Sequence, residues 1–245
     1  MAPRWTLLCA GLWMLTALAT GLLTEEQKEH IVQMHNRYRS MVEPQAANMI
    51  HMTWDEAPSV MAEAYAAKCI WDHNPDVQNV MGENLFISTG PFSIDKAMSD
   101  WFEERAGYNY DTNTCSENQM CGHYTQIVWA KTTNVGCAAH ICETVKGLYF
   151  QNATMLVCNY FPPGNVIGQK PYETGLPCSK CPEEMKDCVQ DICYNLERSE
   201  LPSVEPTELL LTDTPSTGAV GGSGCQRSPA ALLLLTGLLA SLLWM

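Results

Sequence analysis

The chain has 245 residues, with 27 acidic side chains against 14 basic ones and a formal net charge of −13 at pH 7. Such an acidic balance argues against nucleic acid and against charge-driven binding to anionic lipid head groups. It leaves open an apolar ligand or a protein partner.

The chain starts with Met1-Ala2-Pro3-Arg4 and an apolar run from Trp5 to Leu18 that ends in the small-x-small site Ala17-Leu18-Ala19. This is the pattern of a secretory signal peptide, assigned to residues 1–21. The next 150 or so residues, 22–170, suit one domain with a real core. A first helix is predicted over Thr24–Val42. Thr24 and Gln27 form a capping box, and Ile31, Met34, His35, Tyr38 and Val42 share a stripe. His35 reads as a hydrogen-bonded core histidine, whereas Lys28, Arg37, Arg39 and Lys68 read as solvated helix faces. A second helix is expected from Pro58 through Met61, Ala64 and Tyr65 to about Trp71, because Pro75 stops it. A third spans Ser93 to about Arg105, with Ile94, Ala97, Met98 and Trp101 facing in. Met34, Met61 and Met98 read as core rather than as a ligand surface. Short strands follow at His123–Trp129, Val135–His140, Leu148–Gln151 and Thr154–Asn159. In the first of these, His123, Thr125, Ile127 and Trp129 would share one face. The last would end at Pro162-Pro163-Gly164. Helices followed by antiparallel strands indicate an α+β arrangement.

Twelve cysteines are present. Cys9 lies in the leader and Cys225 near the end. The remaining ten are an even set in a chain bound for an oxidising compartment, which implies five disulfides. Cys178, Cys181, Cys188 and Cys193 crowd a segment, 171–198, too poor in apolar residues for its own core. Two structural disulfides there are favoured over a zinc or redox site. Asn152-Ala153-Thr154 is an N-glycosylation sequon. Residues 199–224 read as a flexible stalk. Residues 225–245 carry a short polar spacer, Cys225–Pro229, and an uncharged apolar tail, Ala230–Met245, behind the small-residue run Gly218–Gly224. That pattern suits a GPI-anchor signal, with a single membrane span as the alternative. Trimming both ends removes Arg4 and Arg227 and no acid, so the mature chain is more acidic still.

Two blocks carry the most information: Cys121-Gly122-His123-Tyr124-Thr125-Gln126-Ile127-Val128-Trp129, and Leu156-Val157-Cys158-Asn159-Tyr160-Phe161-Pro162-Pro163-Gly164-Asn165. With Leu23–Glu26, His51–Glu56 and Gly82–Phe86 they resemble the CAP family (cysteine-rich secretory proteins, antigen 5, plant pathogenesis-related 1). The resemblance covers roughly Leu23 to Asn195. It implies a CAP-type α-β-α sandwich followed by a small disulfide-rich hinge module. It also implies the pairs Cys69–Cys142 and Cys137–Cys158. Cys115–Cys121 is suggested by its close spacing as well. The pairing within the hinge stays open.

The resemblance further assigns His73, Glu83, Glu104 and His123 to one cleft. By the residues alone, His73 sits where the second helix should end, Glu83 lies in a loop, Glu104 continues an inward stripe, and His123 opens a strand. Two imidazoles with two orienting carboxylates suit zinc. A buried polar network that shapes the cleft is the compatible alternative. The sequences His-Glu-x-x-His and Gly-x-Ser-x-Gly are absent, so no enzyme activity is assigned. The functions implied are those of a secreted or cell-surface glycoprotein acting as a peptidase inhibitor or growth-regulatory binding protein. A lipid or sterol carrier is the first alternative and a metal-dependent hydrolase the second. The expected partners are an extracellular protein such as a protease, or a lipid or sterol, with the membrane reached through the C-terminal tail.

Overall fold

A computed structural model describes residues 23–149 and 151–196. The leader, the stalk, the C-terminal apolar tail and the last residues of the hinge segment lie outside the described residues.

The chain runs α1 (Glu25–Ser40), β1 (Thr53–Trp54), α2 (Glu56–Ala66), β2 (Gly82–Ser88), α3 (Ile94–Glu103), a 3₁₀ turn (Glu104–Gly107), β3 (Tyr108–Asn109), β4 (Thr114–Cys115), α4 (Gly122–Ile127), β5 (Asn134–Thr144), β6 (Gln151–Phe161), β7 (Asp187–Val189) and β8 (Ile192–Tyr194). Four strands form the central sheet in the order β1-β5-β6-β2. β6 is antiparallel to both neighbours, and β1 is parallel to β5.

Strand periodicity sorts side chains onto two faces. Val135, Cys137 and Ala139 of β5 and Leu156, Cys158 and Tyr160 of β6 join α1, α3 and α4 in the larger core. Ala138, Cys142, Met155 and Val157 turn the other way and pack against Ala62, Tyr65 and Ala66 of α2. The result is an α-β-α sandwich. Cys137–Cys158 ties register partners of β5 and β6, and Cys69–Cys142 ties the loop after α2 to the end of β5. Cys115–Cys121 closes a short loop, while Cys178–Cys188 and Cys181–Cys193 brace the hinge segment. That segment is docked as well as stapled. Ile192 belongs to the larger core, Cys193 exchanges backbone hydrogen bonds with Met49 and His51, and Tyr194 meets the His51 ring edge-on.

Thr24 caps α1 through a capping box with Gln27. His35 is wholly buried, with Nδ1 2.8 Å from the Ile31 carbonyl oxygen and Nε2 3.0 Å from the Tyr160 hydroxyl. A carbonyl can only accept, so Nδ1 carries the proton and Nε2 accepts from Tyr160. Burial pushes the His35 pKa down to about 4, which keeps the ring neutral.

Several expectations from the sequence are overturned. His123–Trp129 is not a strand: Gly122–Ile127 form a helix, burying Tyr124, Gln126 and Ile127. The second helix ends at Ala66, well short of Trp71, and its buried face is Pro58, Ser59, Ala62, Tyr65 and Ala66; Ala64 is exposed and Met61 half-buried. Leu148–Gln151 and Thr154–Asn159 are not separate strands, because β6 runs unbroken from Gln151 to Phe161. Glu83 lies in strand β2, not in a loop.

The largest correction concerns Arg39, which is 1% exposed rather than solvated. Its guanidinium donates to the carbonyls of Ile50, Ile127, Trp129, Ala130 and Thr132. Burial lowers its pKa to about 9, so it keeps its charge at neutral pH. A planar cation with five N–H donors can satisfy several orphan carbonyls at once, which lysine or leucine cannot. Arg39→Leu should therefore lower the unfolding free energy by about 3–5 kcal/mol, two or three stranded acceptors' worth. Denaturant midpoints check this; a loss below about 1 kcal/mol would mean that these carbonyls find other donors.

Candidate functional site

Glu104 is the C-cap residue of α3 and opens the 3₁₀ turn; its side chain is 12% exposed. Its Oε2 accepts from the His123 and Tyr124 amides at 2.9 and 3.2 Å, and Oε1 lies 2.6 Å from His123 Nδ1. One carboxylate thus caps α4 and orients the imidazole at its start. A negative charge belongs at that end of a helix. Trp101 of α3 stacks on the His123 ring at 5.9 Å between centroids, with its indole Nε1 donating to the Leu85 carbonyl. Asn84 donates to the His123 carbonyl and to the Tyr160 hydroxyl.

His73 is built differently. The Tyr65 hydroxyl donates to the Asp72 carbonyl, and the His73 amide donates to Asp72 Oδ1. Glu83 projects from β2 with its side chain only 4% exposed. Its Oε1 accepts from the Asn74 amide at 2.9 Å and lies 2.8 Å from His73 Nδ1. Glu83 Oε2 is buried without a hydrogen-bond partner. The hydrogen bond from Glu83 raises the His73 pKa above its ordinary value, against an opposing push from desolvation.

The two pairs share a design. Each histidine gives Nδ1 to its own carboxylate, and neither Nε2 has a hydrogen-bond partner among the described residues. His73, Glu83 and His123 line one groove of about 690 Å³, together with Asp72, Met120 and Asn165. Glu104 does not line it; it stands behind His123. Gln126 forms part of the wall, accepting from the Gly164 amide, and a Cβ on Gly82 or Gly164 would collide with its side chain. Thr125 and Gly122 bond Asn165, which joins the Pro162-Pro163-Gly164-Asn165 loop to α4. From sequence Trp101 was read only as an inward-facing core residue, and Asn84, Gln126 and Asn165 were not singled out, although each lies within a quoted motif.

No serine, threonine or cysteine lines the groove among the described residues. All ten described cysteines are in disulfides, so none is a thiol. The sulfurs of Cys178, Cys181 and Cys193 lie within 4.8 Å of one another, yet as disulfide sulfurs they are not the thiolates that zinc requires. Among the described residues no other three metal-binding side chains converge that closely. The two His–Glu pairs thus border one groove without closing on a point. A second, larger groove of about 1000 Å³ lies elsewhere, between α1, β1 and the β7–β8 turn, with Val32, Met41 and Trp54 among its walls. No helix of the described residues is long and apolar enough to cross a membrane.

The model of the cysteine-rich secretory protein (CAP) family matches residues 32–160, more than half of the chain. The chain belongs to the CAP family. It is 45% identical over 199 residues to mouse peptidase inhibitor 16, covering 81% of this chain and 39% of the relative. It is 45% identical over 204 residues to the human protein of that name, covering 83% and 43%. The chain thus spans about two fifths of these relatives' length. It is 41% identical to human peptidase inhibitor 15 over 177 residues, covering 67% of this chain and 69% of the relative. Among solved structures, NaASP2 with Zn²⁺ aligns at 28% identity and a TM-score of 0.56, covering 72% of this chain and 98% of that one.

The cap geometry makes a direct prediction. Glu104→Ala strands two amides at the start of α4 and removes the favourable charge, costing about 1–2 kcal/mol. Amide hydrogen exchange at His123 and Tyr124 should quicken, with Glu104→Gln in between. Unchanged exchange in Glu104→Ala would show that α4 does not rest on this carboxylate.

Proposed function

We propose that this CAP-domain protein is a secreted or cell-surface binding protein rather than an enzyme. In this reading its groove holds a divalent zinc-type ion between His73 and His123 and meets an extracellular protein partner there, a peptidase among them. The observation that carries the reading is the repeated histidine–carboxylate pair. With Nδ1–H held by a carboxylate, each Nε2 presents a lone pair, the arrangement seen where a carboxylate orients a metal-bound histidine. The His73 side chain is 67% exposed, so an ion from solvent can reach it while its Nδ1 stays on Glu83. Water would fill the remaining positions. Bound there, the ion supplies a positive, ligand-accepting centre to a partner.

Further support comes from three sides. Five disulfides suit an oxidising compartment. Asn152 of the sequon is exposed at the start of β6, where a glycan has room. All three sequence relatives above bear the name peptidase inhibitor, and a solved relative was crystallised with Zn²⁺. A GPI anchor through the C-terminal tail belongs to the same proposal. The disulfide-closed loop Cys115–Cys121 sets Met120, 67% exposed, on the groove's rim. That loop is curled by a Gln119 amide to Ser116 carbonyl bond. The partner therefore docks against the groove; the loop is not an extended strand offered to a protease's catalytic cleft.

Titration calorimetry with Zn²⁺ tests the ion site. Wild type should bind one ion, and His73→Ala with His123→Ala should weaken binding at least tenfold. Protons compete for Nε2, and the His73 pKa is raised. Affinity should therefore be full above that raised pKa and fall as the pH drops through it. Equal binding by the double variant would refute the site. The second reading, a lipid or sterol carrier, is favoured by the larger groove beside Trp54. It predicts stoichiometric binding of a hydrophobic ligand that survives the same double substitution and is lost in Trp54→Glu.

A further inference from the structure

A third concavity shares no residue with the groove above. It has a volume of about 440 Å³ and is lined by Lys131, Lys170 and Lys180 together with Glu173. Three lysines on one small hollow are unexpected in a chain with 27 acids and 14 bases. Elsewhere Lys28, Lys68, Lys96 and Arg105 each lie within ion-pairing distance of a carboxylate, while Arg37 and Lys146 stand singly among the described residues. Here only Lys180 is so paired, 2.7 Å from Glu173. Lys131 and Lys170 have no carboxylate at that distance among the described residues. Lys170 sits instead over the Tyr110 ring, 4.4 Å from its centroid. Glu173 faces both Lys180 and Lys131 and offsets one of the three positive charges, so the hollow keeps a net positive charge.

Its backbone is held firmly. The carbonyls on either side of Lys131, those of Ala130 and Thr132, are both gripped by buried Arg39. The Ala130 amide donates to Pro171, next to Lys170, and the Lys180 amide donates to Ala47. The Tyr110 hydroxyl donates to the Tyr172 carbonyl. Fixed backbones cut the ordering cost of binding. The rest of the lining combines the largely buried aromatics Tyr110, Trp129 and Tyr172, which offer only small apolar patches, with Asn48 and Gln169. Small apolar patches beside amides suit the carbon faces and hydroxyls of a sugar, and lysines suit its anionic substituents.

We propose that this hollow binds a short anionic saccharide, a sugar chain carrying sulfate groups. The net acidity of the molecule does not forbid it. Over a Debye length of about 8 Å at physiological salt, three local lysines outweigh Glu173, and distant carboxylates are screened. The proposal stands apart from the His73–His123 groove and survives that reading's failure.

Calorimetry on the purified full-length chain tests it, with a heparin-derived tetrasaccharide, its desulfated counterpart and sodium sulfate as three probes. The sulfated tetrasaccharide should bind, with a slope of log K against log salt of about −1.5 to −2 for two contacts. Lys131→Glu with Lys170→Glu should weaken it at least tenfold. Lys146→Glu, which lines a different hollow, should change it less than twofold. All three lysines are exposed, and far-ultraviolet dichroism confirms that the variants fold. No binding by wild type, equal binding by the double variant, or equal binding of the desulfated probe would overturn the proposal. So would displacement of the tetrasaccharide by sodium sulfate at equal concentration, the mark of a bare-anion site.

Discussion

A helix of six residues is gripped at both ends by charge. Glu104 caps the first amides of α4, and Arg39 collects the carbonyls of Ile127 and Trp129 at its far end. Anion at the N-terminus and cation at the C-terminus is the favourable order for the helix dipole. Alone, so short a helix would not form in water, because its nucleation cost exceeds the gain from its few internal bonds. α4 therefore exists because α1 and α3 reach it. It carries His123, so the position of that imidazole is set by side chains 19 and 84 residues away in sequence.

The same dependence runs through the interior. His35 accepts from Tyr160, Tyr160 accepts from Asn84, and Asn84 also donates to the His123 carbonyl. His35, Tyr160 and Asn84 are buried, and these bonds offset their desolvation, although the Asn84 side-chain oxygen itself has no partner among the described residues. The chain of bonds fixes α1, β2, β6 and α4 relative to one another. On that frame the two histidine–glutamate pairs are presented to one groove. They differ in solvation, since His73 lies largely in water while its carboxylate is buried, and His123 is itself mostly covered. One ring is open to solvent with its Nδ1 held by Glu83, and the other is covered by stacking on Trp101.

Much of this was legible in the residues. The capping box of α1 and its inward stripe gave that helix almost to the residue, and the α+β class followed from the order of helices and strands. The family motifs drew attention to His73, Glu83, Glu104 and His123. What failed did so for identifiable reasons. The stretch His123–Trp129 was read as a strand, and nothing local shows that Arg39 and Glu104 hold it as a helix. Arg39 looked solvated because a helix-borne arginine usually is; its partners are backbone carbonyls, which leave no mark in the sequence. The second helix was drawn too long because Pro75 is a stop signal, whereas the real end at Ala66 is set by the turn into Cys69, whose backbone adopts positive φ and whose sulfur is tied to Cys142. β2 was missed because Gly82 and the polar Glu83-Asn84 pair mask its pattern, which β6 imposes by pairing.

The central claim is that two carboxylates fix the tautomers of two histidines so that both Nε2 atoms serve one groove. The direct measurement is ¹⁵N–¹H correlation of the imidazole rings at a pH above the His73 titration, without and then with Zn²⁺. The structure predicts the Nδ1–H tautomer for both His73 and His123, and a zinc-induced shift at Nε2 of both rings together. A proton resting on Nε2 of His123, or zinc leaving both Nε2 resonances unmoved, would contradict it.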